Sequence, residues 1–364
     1  MPIEQIYIDS SVQHLSQVKS ICDRIQCSAE IIHDVQTLYE KINTHADPVK
    51  AGKQTLYLTR NKGAFLKKCP GTQNYICCDY QILHVGTFCT MDCSYCILQS
   101  YFHPPLLQFF VNHHDMIEEL HMALEQKTLL RIGTGEFTDS LIWEYGTDLS
   151  QLLVPIFSNQ HHSVLELKTK TTAIENFRNL KHNRKTILAW SLNTQEIIRT
   201  QERGTASLKS RLYAAQKCQQ WGYPVAFHFD PMVLYPGCEN DYKDVITKLF
   251  SYINPENIPW ISLGTFRFMP SLKPTIQERF PHSKIVYGEF IRGLDGKMRY
   301  FKPLRISFYK AIIEHIRKIA PNVCLYFCME DEHVWKNSLG FVPAEKGGLP
   351  AMLDRSATKV CELA

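Results

Sequence analysis

No uninterrupted apolar run in the sequence approaches the roughly 18 residues that a membrane-spanning helix needs, and MPIEQIYIDSSVQHL at the start carries Glu4 and Asp9 in place of a signal-like apolar core. Neither a membrane span nor an export signal is expected. Net charge is scarce as well: 40 basic against 36 acidic residues leave +4, which permits a nucleic-acid partner without arguing for one. No repeat or low-complexity tract stands out. The dense, even cysteine framework of a small secreted domain is also missing. The 13 cysteines are odd in number and spread over 364 residues, of which 45% are hydrophobic, enough for a core without disulfide staples. Reduced thiols, metal ligation and a cytoplasmic location are the expectation.

Within residues 1–75, strand-like QIYIDSS, AEIIHDV and TLYLTR alternate with helical HLSQVKSICDRI and VQTLYEKI, which predicts a small α/β unit. The Pro-Gly turn in KKCPGTQNY marks its end. From Tyr80, YQILHVG, TLLRIGTG, SVLELKTK, TILAWSLN, PVAFHFDP and WISLGTFRF read as strands with helical segments between them, AIENFRNL among these. Six βα units over 76–270 predict a parallel sheet, as a partial barrel or an open doubly wound sheet. Residues 271–364 are expected to form a C-terminal substrate-binding extension, in which YFKPLRISFYKAIIEHIRKIAPNVCLYFCMEDEHVWKNSLGF reads as helix, strand, helix before a Gly- and Pro-containing tail. In both folds ligands gather at the C-terminal strand ends, and each motif below follows a strand.

The stretch CTMDCSYC places Cys89, Cys93 and Cys96 on one loop. A structural zinc site takes four protein ligands, and Cys77, Cys78 or His84 are candidates to complete one here. A [4Fe–4S] cluster ordinarily takes one cysteine per iron, so three thiolates leave one iron open to a small chelating molecule. S-adenosylmethionine, with its amino and carboxylate groups, is such a molecule. Electron transfer into its sulfonium would release a 5′-deoxyadenosyl radical.

CxxxCxxC after the first strand of a βα array resembles the signature of the radical S-adenosylmethionine superfamily. The chain from about Tyr7 to Phe327 resembles the spore photoproduct lyase family, DNA-repair enzymes that revert a methylene-bridged thymine dimer. The likeness rests on YCILQ, FVN at Phe110–Asn112, LELKTK, SLN, ERGT with RLYAAQK, GYPVAFHFDPMVLYPG, and FRF followed by KPTIQERFP; RIGTGEFTDSL resembles DNA photolyase-like relatives of that family. The resemblance implies a partial (β/α)6 TIM-like barrel of the radical S-adenosylmethionine type. It further implies a lyase acting on damaged DNA and supplied with electrons by a donor such as flavodoxin or ferredoxin.

Glu136 in GTGE is suited to accept from an ammonium, with Gly133 and Gly135 allowing close backbone approach; by resemblance this is the place that binds the methionine amine. A dinucleotide-binding reading competes weakly, because Thr138 stands where a third glycine belongs. Lys170 in KTK and Ser191 in SLN match family positions that hold the cofactor carboxylate, although a solvated strand-end lysine and a helix cap are ordinary alternatives. Asn193 and Glu202 are candidates of the same kind. Tyr95 matches the aromatic position near the adenine, or simply covers the cluster.

At the substrate end, RGLDGKMRYFKPLRISFYK interleaves basic and aromatic residues as a nucleic-acid surface does, with Arg299, Tyr300, Lys302 and Arg305 as the expected DNA contacts. A solvated helix face with core aromatics is the alternative. The family returns a hydrogen atom to its product from a cysteine beside the second strand, where this chain has Glu136 or Phe137. It also carries a tyrosine where this chain has Ile97. The resemblance therefore leaves hydrogen return to Cys328 or Cys238, or implies a substrate that needs none. His228 and Asp230 in FHFDP are further candidates to face the pocket. A radical enzyme on another substrate, and a non-catalytic iron–sulfur or zinc protein that binds nucleic acid, remain open.

Overall fold

A computed structural model describes residues 2–72 and 74–364. Met1, and Gln73 inside the expected linker, lie outside the described residues. In chain order the first nine strands are β1 (Gln5–Asp9), β2 (Ser28–Ile32), β3 (Thr55–Thr59), β4 (Leu66–Lys68), β5 (Gln81–Leu83), β6 (Gly86–Thr87), β7 (Asp92–Cys93), β8 (Leu107–Phe110) and β9 (Arg131–Gly133). They continue as β10 (Val164–Thr169), β11 (Thr186–Ser191), β12 (Glu202–Arg203), β13 (Val225–Met232), β14 (Ile261–Thr265), β15 (Arg267–Phe268), β16 (Phe290–Arg292), β17 (Met298–Tyr300) and β18 (Leu325–Phe327).

The main sheet runs β18-β14-β13-β11-β10-β9-β5-β4, parallel except for β4. It is a curled half-barrel. Strand β11 (TILAWS) is buried at every position and β10 at five of six, as parallel strands covered on both faces must be. A second sheet, β2-β1-β3-β8-β6, holds the N-terminal strands; Ile6, Ile8, Leu56 and Leu58 on one face join the half-barrel's core, while Tyr7, Ile32 and Tyr57 form a separate cluster with Leu38 and Ile42. Strands β6 and β8 come from beyond residue 75. The expected boundary there separates sequence segments but not sheets, because β8 pairs with β3 across nearly fifty residues of chain.

Two expectations for the periphery are corrected. AIENFRNL forms only a short 3₁₀ turn, Glu175–Phe177, since left-handed Asn183 and Arg184 already turn the chain into β11. Nor is 271–364 one substrate-binding extension. Strand β18 belongs to the half-barrel, and helix Leu349–Cys361 caps the N-terminal strand ends: Arg131 bonds Asp354 at 2.7 Å, Lys185 donates to the Cys361 carbonyl at 2.7 Å, and Ser356 donates to the Pro259 carbonyl. That end lies opposite the expected ligand end.

Inside the half-barrel Glu166 accepts from Trp260 Nε1 at 2.8 Å and contacts His228 Nε2 at 2.9 Å. Burial would raise the Glu166 pKa, but His228 and Lys168 outweigh it and hold it down to about 2. His228 thus serves the interior, with Ser262 at 2.7 Å on its other nitrogen.

Candidate active site

The cysteine loop is held from both sides by buried cations. Lys53, 1% exposed, donates to the carbonyls of Cys89 (3.3 Å) and Met91 and faces Asp92 at 3.7 Å. Arg279 spans Asp47, Asp92 and Gln99 at 2.7–3.4 Å. Strand β7 pairs with β12, and Ser94 bonds Gln201 through backbone and side chain. The loop's polar backbone is therefore satisfied internally, while all three cysteines are free thiols and Cys89 and Cys93 are buried.

Among the described residues, no three cysteine, histidine or carboxylate side chains already converge on one point. The donor set nonetheless fits an iron–sulfur cluster: three soft thiols on one braced loop, with the Lys170 ammonium near Cys93 to balance thiolate charge. Burial pushes the Cys89 thiol up to about 12 and raises Cys93 as well, with Lys170 opposing the rise at Cys93.

Beside this loop, the ends of β10 and β11 bring together residues far apart in sequence. Tyr95 donates to Glu202, whose other oxygen takes Arg211 at 2.5 Å. Arg211, fully buried, also donates to the Ser191 carbonyl (2.9 Å), Thr205 Oγ1 (2.8 Å) and the Ala206 carbonyl (2.9 Å). Lys170 sits 5.7 Å from the Tyr95 ring centre. Burial disfavours charge on Glu202, yet Arg211 and Lys170 hold its pKa below the usual range. Glu202 is thus already engaged by the protein, rather than free for the cofactor. Asn193 bonds the Pro231 carbonyl and Tyr242. Asp139, which the sequence reading missed, accepts from Thr169 Oγ1, the Lys170 amide and the Leu141 amide at 2.8–3.0 Å and so fixes the loop after β9 against β10. Its TD dipeptide carried no spacing signal.

The glycines have a different use from the one expected. A Cβ on Gly133 would fall 1.5 Å from the Tyr80 hydroxyl oxygen, and one on Gly135 would fall 2.9 Å from Lys168 Cβ. Their missing side chains make room for the protein itself. Glu136 pairs with Lys168 at 2.7 Å, so its carboxylate already has a cation. Nearby, Arg267 clamps Asp230 with two bonds of 3.0 Å and reaches Cys328 Sγ at 3.5 Å. Burial, reinforced by Asp230, pushes that thiol up to about 12, so it keeps its hydrogen. Cys238 lies apart, at the start of helix Cys238–Tyr252.

The family model for spore photoproduct lyase matches residues 5–317. The chain belongs to the spore photoproduct lyase family. These are radical S-adenosylmethionine lyases. The spore photoproduct lyase of Bacillus subtilis is 25% identical over 249 residues, covering 65% of this chain and 72% of that protein. The Clostridium acetobutylicum spore photoproduct lyase is 23% identical over 286 residues, covering 73% and 83%. In fold, a solved spore photoproduct lyase complexed with dinucleoside spore photoproduct matches with a TM-score of 0.77 at 18% identity, covering 90% of this chain and all of that one. A variant with bound AdoMet and the dinucleoside spore photoproduct matches equally well.

Against that spore photoproduct lyase fold, the expected DNA contacts need correction. Arg299, 3% exposed, is held by Asp295 (2.7 Å) and the Met329 carbonyl (3.0 Å) over the Tyr75 ring. Arg305, 4% exposed, makes two 3.0 Å bonds to buried Glu330 and one to the Tyr300 carbonyl. Tyr300 is buried, stacked on Phe290, and accepts from the Leu234 amide. Lys302 pairs with Asp331 at 2.6 Å but stays partly exposed. The alternation of charge and aromatics thus belongs mostly to the inner face of helix Lys302–Ile319 and the β17 strand, which internal carboxylates neutralise. Exposed residues here include Ile291, Arg292 and Leu294 at the β16–β17 tip, Phe301 and Leu304, and Lys310 further along the helix. The base of that hairpin shares an apolar cluster with Cys93 and Tyr95, which ties it to the cysteine loop.

Proposed function

We propose that the chain repairs a pyrimidine photoproduct in DNA, starting with hydrogen abstraction from the lesion. The observation that carries the reading is the gathering of Tyr95, Lys170 and Ser191 at the ends of β10 and β11, against a braced loop of three free thiols. Cys89, Cys93 and Cys96 would hold a [4Fe–4S] cluster, with S-adenosylmethionine beside Lys170 and Ser191. When bound, the pair supplies a 5′-deoxyadenosyl radical. Lys170 offers a cation to a carboxylate, Tyr95 an apolar ring face, and the Glu202–Arg211 pair keeps both in place. Cys328 is a hydrogen-bearing thiol within electrostatic reach of Glu136, the place where the family cysteine is missing, and it faces Arg267 and Asp230 at the strand ends; we assign it the return of hydrogen to the product. A one-electron donor of the flavodoxin or ferredoxin class fits the reaction. Among the described residues no helix is long and apolar enough to cross a membrane, and free thiols throughout suit a reducing cytoplasm.

The test is 5′-deoxyadenosine formation by anaerobically reconstituted, reduced protein, with ultraviolet-damaged DNA, undamaged DNA or none. Stimulation confined to damaged DNA is expected; equal rates in all three arms would move the substrate elsewhere. Cys328→Ala should lower repaired product while 5′-deoxyadenosine persists, and unchanged product would remove Cys328 from the role.

Exposure predicts which basic residue meets the phosphates. Arg292→Ala should weaken DNA binding and reduce the slope of log affinity against log salt by about 1. Arg305→Ala should leave the slope alone and cost about 3–5 kcal/mol of stability, because Glu330 would remain buried without a cation, keeping only the Tyr309 hydroxyl. Binding titrations at several salt concentrations, with denaturant melts, check both.

A further inference from the structure

The half-barrel has an open seam between its edge strands, and residues 69–72 and 74–79 lie along it. The Ile76 amide donates to the Glu330 carbonyl at 3.2 Å, Lys297 to Thr72 at 3.0 Å, and Arg131 to the Cys78 carbonyl at 2.6 Å. Around this seam lie four free cysteines: Cys69, Cys77 and Cys78 on the loop and Cys328 on the facing wall, all lining one cavity of about 30 Å³. None belongs to the CxxxCxxC loop. Cys77 is exposed, while its neighbour Cys78 is partly covered.

We propose that Cys77 and Cys78 form a redox-active dithiol that exchanges electrons with small-molecule disulfides of the glutathione class. The Cys77 thiolate attacks one sulfur of the disulfide, forming a mixed disulfide and expelling one thiolate. Cys78 then gives up its proton and attacks the Cys77 sulfur, forming the Cys77–Cys78 bond and expelling the second thiolate. Two protein thiols and one disulfide thus become one protein disulfide and two small thiols. Exposure and polarity within the pair support the division of labour: Cys77 is exposed and its pKa is lowered chiefly by the neighbouring Cys78 thiol, while Cys78 is partly covered and its pKa is raised by Cys77 and by burial. Adjacent α-carbons stand about 3.8 Å apart, closer than in ordinary bridges, so the bond is strained and easily reduced again. Exchange in both directions follows, at a site facing Cys328.

Chymotryptic fragment 76–80, ICCDY, contains these two cysteines and no others, which makes the test direct. Reconstituted protein, and a Cys89→Ala/Cys93→Ala/Cys96→Ala variant that cannot scramble through the other loop, would be equilibrated anaerobically with reduced and oxidised glutathione and mapped by mass spectrometry. The wild-type fragment should lose two hydrogens and carry no adduct, Cys78→Ser should hold one glutathionyl group on Cys77, and Cys77→Ser should stay unmodified. Under limiting iodoacetamide near neutral pH, Cys77 should react at least about 10-fold faster than Cys69. A wild-type fragment that stays reduced while Cys22 or Cys27 is modified, keeps a glutathionyl adduct, or pairs instead with Cys69 or Cys328 overturns the proposal.

Discussion

Cys93→Ala is expected to abolish iron–sulfur absorbance after reconstitution and to bring 5′-deoxyadenosine formation to background, with folding stability changed by only about 1 kcal/mol. The two effects separate because of where the side chain sits. Cys93 packs among Tyr95, Ile197, Phe266 and Phe268 as a small buried apolar group, and losing one sulfur there leaves a cavity smaller than a methylene-rich truncation would. The loop itself is held by Lys53, Arg279 and the β7–β12 pairing, none of which uses the thiol. Iron analysis and a thermal melt on the same preparation decide the matter: full iron retention would remove Cys93 from the ligand set, and a melt lowered by several kcal/mol would make it a packing residue.

The legible and illegible parts of this protein divide along physical lines. Apolar strands and a local cysteine motif announce themselves within ten residues, so the half-barrel strands and the thiol loop could be read directly. Pairings over long sequence separations could not. Nothing near Gly133 shows that Tyr80 fills its missing side chain, and nothing in RYFKPLRISFYK shows that Glu330 lies waiting for Arg305. Strand β8 joined the N-terminal sheet because four residues of LQFF pair with β3, a partner invisible in its own short pattern. The misjudged DNA contacts share that cause. A basic, aromatic segment looks alike whether its cations face phosphates or buried carboxylates, and only the fold distinguishes the two.

Arg211→Met should be the most destabilising single change near the site, costing about 3–5 kcal/mol. Arg211 and Glu202 have side chains 0% and 1% exposed, so solvent screens neither, and removing Arg211 takes away the one cation bonded to a buried carboxylate, leaving it the Tyr95 hydroxyl and the more distant charge of Lys170. Adding Glu202→Gln to Arg211→Met should recover most of the loss, since the amide still accepts from Tyr95 and neither member of the buried pair is charged any longer. The sign of the pH dependence is set by the same pair. The lowered Glu202 pKa gives a contribution that is full above the ordinary carboxylate value near 4.3 and fades as pH falls through the folded-state pKa. The stability gap between wild type and Arg211→Met should therefore narrow in acid. Denaturant melts of the two single variants and the double, at neutral pH and below pH 5, measure the coupling. S-adenosylmethionine affinity of the two variants carrying Glu202→Gln supplies a second readout, because in them Lys170 loses its neighbouring carboxylate while the cluster loop keeps its braces. Additive losses in the double variant, or a gap that widens in acid, would show that Arg211 acts through its backbone contacts to Ser191 and Ala206 and not through Glu202.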